Sequence, residues 1–185
     1  MMNFDASLTY TSYEPHMHKA QNERQRRQLD AVVLHAKGEV LADLSLVIPS
    51  LCADPQYHEY GVFANVLGDT GPKGMEAVVA NYEHMVESGS YVIESIKDRL
   101  MISDDEIMSD GSYRQILTSA VAKELGFVAE DDESSRHYML SGRTVVFWKF
   151  DDEEKALGED RYVVDRRIEP LDAEDLPADY PDRLR

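Results

Sequence analysis

Leu29, Val32, Val33 and Ala36 recur at i, i+3, i+4 and i+7, which predicts a helix over residues 19–37 that Gly38 closes in a left-handed turn. Val40, Leu41, Leu44 and Val47 form the stripe of a second, shorter helix over 39–48, ended by Pro49. Ala53-Asp54-Pro55 reads as a turn, and Gln56–Tyr60 as a short aromatic strand. After a glycine-rich loop at 68–74, Met75, Val78, Val79, Tyr82, Met85 and Val86 mark a third helix that breaks at Ser88-Gly89. Period-two alternation then predicts strands over 91–102, 106–117, 138–150 and 161–168. Residues 118–136 are a long connection, with a helical turn expected at Val121–Leu125.

The order is α-α-β-α-β-β-β-β. Helices first and antiparallel hairpins last predict an α+β fold, with the helices gathered on one face of a twisted, curved sheet. One domain is expected over 19–170, preceded by a flexible arm at 1–18 and followed by an acidic, irregular tail at 171–185. The predominantly apolar set on the strand at 91–102 is Val92, Ile96, Leu100 and Ile102; the alternate set includes Ile93 and Lys97.

The turn Ala53-Asp54-Pro55 with Tyr57-His58-Glu59-Tyr60-Gly61 resembles the acid-turn and first strand of SnoaL-like proteins. Pro72-Lys73-Gly74-Met75-Glu76-Ala77-Val78 is similar to their third-helix entry, and Phe150–Ala156 with Gly158-Glu159-Asp160 to the hairpin before their last strand. The resemblance runs in order over residues 20–168 and points to the nuclear-transport-factor-2-like superfamily. It implies a cone-shaped mixed or antiparallel sheet around a pocket, N-terminal helices on the concave side, and frequent dimers. It also implies cofactor-free chemistry of the cyclase, isomerase or dehydratase type. Ketosteroid isomerases of that superfamily place a general-base Asp near the end of the first strand, where this chain has Tyr60. SnoaL-type cyclases use a His and an Asp on late strands, where this chain has Val145 and Val146. Neither catalytic set carries over.

A net charge of −17 changes the picture of partners, because polyanion binding needs Lys and Arg to neutralise phosphates. Neither nucleic acid nor an anionic membrane is expected. Of the acidic charge, 13 Asp and Glu against 4 Lys and Arg fall in residues 151–182. The opening MMNFDASLTY has neither a basic leader nor an apolar stretch, so a cytoplasmic location is expected. Cys52 is the single cysteine, and His16 with His18 finds no third ligand, so no metal is expected.

Strand parity puts His58 and Tyr60 on one face, expected to be the cavity side: His58 as a proton-transfer group or a hydrogen-bonded structural histidine, Tyr60 as an oxyanion donor. Asp110 and Arg114 share a face of the strand at 106–117, either paired beside His58 or on the solvated side. Tyr82, Glu94 and Trp148 are the expected ligand-binding side chains, Glu94 as a desolvated carboxylate or a residue reaching water. The expected ligand is a small, mainly apolar molecule, acted on or simply held; the third alternative is an interaction protein with a vestigial pocket. A homodimer is expected through Tyr91, Ile93, Met101, Tyr113, Val145 and Phe147.

Overall fold

In the computed structural model, which describes residues 3–185, the expected order of elements is realised with displaced boundaries. A short helix α1 (Leu8–Thr11) and a 3-10 turn (Glu14–Lys19) precede the long helix α2 (Glu23–Leu41). Asn22 caps α2 by accepting the Gln25 backbone N–H at 2.9 Å. The helix does not stop at Gly38 but runs on to a left-handed Ala42. Gly38 serves another purpose. A β-carbon there would lie 2.8 Å from Val47 Cγ2 and 2.9 Å from Leu46 Cβ, so its lone hydrogen lets the next helix, α3 (Leu44–Val47), pack close.

Strand β1 (His58–Tyr60) is followed by α4 (Met75–Ser88), bracketed by Gly74 and Gly89 at φ of 82° and 81°. Then come β2 (Ile93–Ile102), β3 (Glu106–Thr118), α5 (Ser119–Glu124), β4 (His137–Phe150) and β5 (Ala156–Leu171). The sheet order is β1-β5-β4-β3-β2, antiparallel except for the parallel β1–β5 pair. Register shifts between Lys97 and Arg99 on β2, and between Ser141 and Arg143 on β4, bend the strands, and helices cover the concave side. The main core joins Leu29, Val32 and Ala36 of α2 to Leu100, Ile107, Val146 and Trp148 of the sheet. This is the expected α+β cone.

Both expected irregular ends are docked instead. The arm lies along the exposed edge of β2. Thr9 Oγ1 donates to Ile93 O at 3.1 Å and accepts from Ser95 N at 3.1 Å. His16 Nε2 meets Lys97 O at 2.9 Å. Edge strands leave unpaired backbone groups, and these side chains satisfy them. At the other end Leu176 and Tyr180 bury against Val92, Ile116, Met139 and Leu171 on the convex face of the sheet. Apolar side chains there gave the tail something to cover. Among the described residues, no helix is long and apolar enough to cross a membrane.

Candidate functional site

The concave face is set by β-pleat. On β3 it presents Ile107, Ser109, Tyr113, Gln115 and Leu117, so Asp110 and Arg114 fall on the convex side. On β1 it presents Glu59, 7% exposed, and β1 pairs in register with β5 so that Glu59 lies beside Arg161. Their side chains join at 2.6 Å.

Two cavities occupy the cone. The outer one, about 150 Å³, has apolar walls from Phe63, Met85, Ile93, Leu140 and Val163 and polar groups from Glu59, Gln115 and Arg161. At its rim His84 on α4 meets Glu124 on α5 at 3.1 Å. The inner one, about 50 Å³, is lined by Glu39, Lys97, Glu159, Tyr13 and Trp148. Ile93, Tyr113 and Arg161 belong to both and form the wall between them.

Three carboxylates and two cations therefore line the two adjoining chambers, with Arg161 common to both. Burial raises the Glu39 carboxyl against the pull of Arg161 and Lys97. Burial likewise pushes Glu159 up to about 8, again against Arg161, with Glu39 and Glu59 adding to the rise. Burial lowers the Lys97 ammonium to about 8. Arg161 would be depressed by burial, but Glu59 and Glu159 outweigh it and hold the guanidinium charged. Its Nε has no hydrogen-bond partner and stands 3.8 Å from Glu159 Oε1. With one acid protonated, the cluster is neutral.

A second polar chain lies in the core behind it. Ser50 Oγ donates to Val47 O at 2.7 Å, so it accepts from His35 Nδ1 at 2.8 Å. His35 Nε2 then accepts from the Tyr82 hydroxyl at 2.7 Å, whose oxygen accepts from Tyr57 at 3.1 Å. The ring is neutral in this arrangement, and its burial lowers it to about 3.

The expected site residues are not gathered there. His58 is turned outward, with Nδ1 2.7 Å from Asp69 and 3.0 Å from Lys73. Tyr60 is also outward, stacked on Tyr162 at 4.9 Å. The physical reason is the register with β5, which sends Glu59 rather than its neighbours inward. Asp110 is held on the convex face by Arg99 at 2.6 Å and Arg143 at 3.0 Å, and Arg114 binds Glu94 at 2.7 Å. Glu94 is thus no pocket carboxylate; its other oxygen accepts the Asp5 N–H at 2.6 Å. Tyr82 is core, bonded to His35 and Tyr57, and lines neither cavity. Trp148 does face a cavity, the inner one, edge-on to His35 at 4.9 Å. Sequence reasoning missed Glu39, Glu59, Lys97, Glu159 and Arg161. For Glu39 the signal was present: it continues the stripe Val32–Ala36 by i+7 and i+3 once the helix runs through Gly38.

No family model matches the sequence, and no curated protein matches it. Solved structures do match the fold. The Rv0760c protein of Mycobacterium tuberculosis superposes with a TM-score of 0.57 at 13% identity, covering 78% of this chain and 98% of its own. A putative SnoaL-like polyketide cyclase from Jannaschia sp. CCS1 gives 0.57 at 9% identity, over 77% and 89%. TerC, co-crystallised with polyporic acid, gives 0.53 at 12%, over 75% and 92%.

Proposed function

From a chain with the nuclear-transport-factor-2-like fold of the SnoaL-like cyclases, we propose a pocket for a small, mainly apolar molecule of single-ring size with an oxygen-bearing end. The observation that carries this is Arg161. A partly buried guanidinium in the wall between the chambers, joined to Glu59 and with Nε unpartnered, offers a donor to a ligand oxygen. A void of about 150 Å³ suits one ring. Neighbours of the same fold were solved with oxygen-bearing ring compounds, TerC with polyporic acid and Rv0760c with estradiol-17β-hemisuccinate. Titrating the protein with phenol by NMR tests the reading. Shifts should centre on Phe63, Leu140 and Gln115, and Met85→Trp should weaken binding by about 10-fold or more by filling the chamber. No shift at those residues overturns it.

A second reading, proton transfer of the isomerase, cyclase or lyase type, is favoured by Glu159, which burial brings close to neutrality. No cofactor enters it.

We also propose that a second copy of this chain covers the open part of the convex face. Met101, Tyr162 and Val164 are exposed there, and the face carries both signs of charge, Arg99 and Arg143 beside Asp98 and Asp110. A two-fold copy brings opposite signs together. Light scattering at tens of micromolar should give about twice 21.0 kDa, and Tyr162→Glu should halve it. A wild-type monomer sinks the dimer.

A further inference from the structure

We propose that Lys97 is a carbonyl-reactive amine that takes the aldehyde or ketone end of the pocket's ligand as a reversible Schiff base in the inner chamber. The inference rests on the outer chamber being a small-molecule pocket. It names the class of that molecule and gives the inner chamber a purpose.

The register shift after Lys97 leaves its side chain on the concave face, where it lines the inner chamber. Its Nζ donates to Ser95 Oγ at 2.7 Å and stands 5.3 Å from the centre of the Tyr13 ring. Among the described residues no carboxylate forms an ion pair with it within 4.0 Å. A lysine so placed is held by one hydroxyl and a ring face, and burial works against its ammonium although Glu39 and Glu159 favour the charge. Glu39 from α2 and Glu159 from β5 line the same small space, with Arg161 at its wall and Tyr13 from the arm as its cover. The two chambers have Ile93, Tyr113 and Arg161 in common, so a ligand end that passes these side chains from the outer chamber meets the groups of the inner one.

The step balances with these groups alone. The neutral amine attacks the carbonyl carbon; a C–N bond forms, and the C=O π pair moves to oxygen. A carboxylate takes the proton from nitrogen, and the oxygen takes one from the protonated acid. The C–O bond of this carbinolamine then breaks, water leaves with a further proton from the acid, and a protonated imine remains. The positive charge gained on nitrogen is matched by the carboxylate left on the acid that gave up its proton, and the cation faces Glu39 and Glu159. Burial supports the chemistry by lowering Lys97 to about 8, so about a tenth of it is neutral at pH 7. An ordinary lysine near 10.4 is neutral there in less than about one part in a thousand.

The full chain is incubated with benzaldehyde, or with acetaldehyde as a smaller probe, in the presence of cyanoborohydride, and the reduced adducts are mapped by peptide mass spectrometry. Lys97 should be labelled roughly 10²-fold faster at pH 7 than the other lysines, the ratio of their neutral fractions. Its rate should level off above about pH 8 while theirs still climb. Lys97→Arg should lose this label and keep the slow background. Folded wild-type protein in which Lys97 reacts no faster than its neighbours overturns the assignment, whether or not the variant folds. Phenol, which has no carbonyl, separates the two readings: phenol binding without Lys97 labelling leaves the pocket and removes the Schiff base, and loss of both removes the pocket as well.

Discussion

Two groups of charged side chains, one outside the cone and one within it, meet opposite fates. Outside, His58, Asp69 and Lys73 sit within 3.0 Å of one another, half in water. Burial of Asp69 is overcome there by Lys73 and by the N–H groups of Gly71 and Glu59, and its carboxyl is held well below the usual range. Inside, Glu39, Lys97 and Glu159 find fewer close partners, and burial drives all three toward their neutral forms. Carboxylates beside a lysine thus become part of a fixed surface triad in one place and a proton-exchanging set in the other. Pairing and water, not residue identity, decide which.

The comparison breaks hardest at Arg161. Arg161→Met removes the cation paired with Glu59, leaving that buried carboxylate uncompensated, and should cost about 3–5 kcal/mol in urea unfolding. Adding Glu59→Gln should recover part of that loss. A recovery of zero would mean the two side chains act independently.

A smaller effect sharpens it through pH. In the folded chain Glu159 keeps its proton up to about 8, whereas unfolded it ionises near 4.3, so its contribution to stability is lost as pH rises through that window. His35 works in the reverse sense: unfolded it takes a proton near 6.5, folded only near 3, so stability falls as pH drops through that range. The two slopes oppose each other below about 6.5. Between pH 6.5 and 8 only Glu159 remains of this pair, and stability should decline by up to about 2 kcal/mol, at most about 1.4 per pH unit. Glu159→Gln should flatten that decline. An unchanged slope would remove the inner cluster from the proton balance.

The smallest effect belongs to the outer group. His58→Gln loses a pair whose histidine side chain is 39% exposed, so the change should stay below about 1 kcal/mol and leave phenol binding untouched. A ten-fold loss of binding would return His58 to the site.

Much of the cone was legible. Helix α4 lies between the two glycines that its pattern names, and the hairpin strands follow their alternation to within a few residues. Facing was harder to read. The three residues of β1 take their orientation from a parallel partner about a hundred positions later, which no local pattern records. On β2 the irregularity at Lys97–Arg99 reverses parity, so Ile93 and Leu100 both point inward although seven positions apart. The apolar set on the other face, Val92, Ile116 and Met139, exists because the tail covers it. Ile93 and Tyr113, expected on the outer face, therefore belong to the pocket wall.

The arm along β2 touches the strand through hydroxyls, an imidazole and the Lys19 amine, not through backbone ladder bonds. A sixth strand would offer its own free edge to the next molecule; this cover offers none. The sheet consequently terminates at β2, and growth of an assembly by strand addition has no template there. The same residues roof the inner chamber through Thr9 and Tyr13. Trimming the chain back to Ala20 would thus do two things at once: expose a sticky border and let bulk water into the acid-rich compartment, coupling the protein's tendency to self-associate with its buried charge.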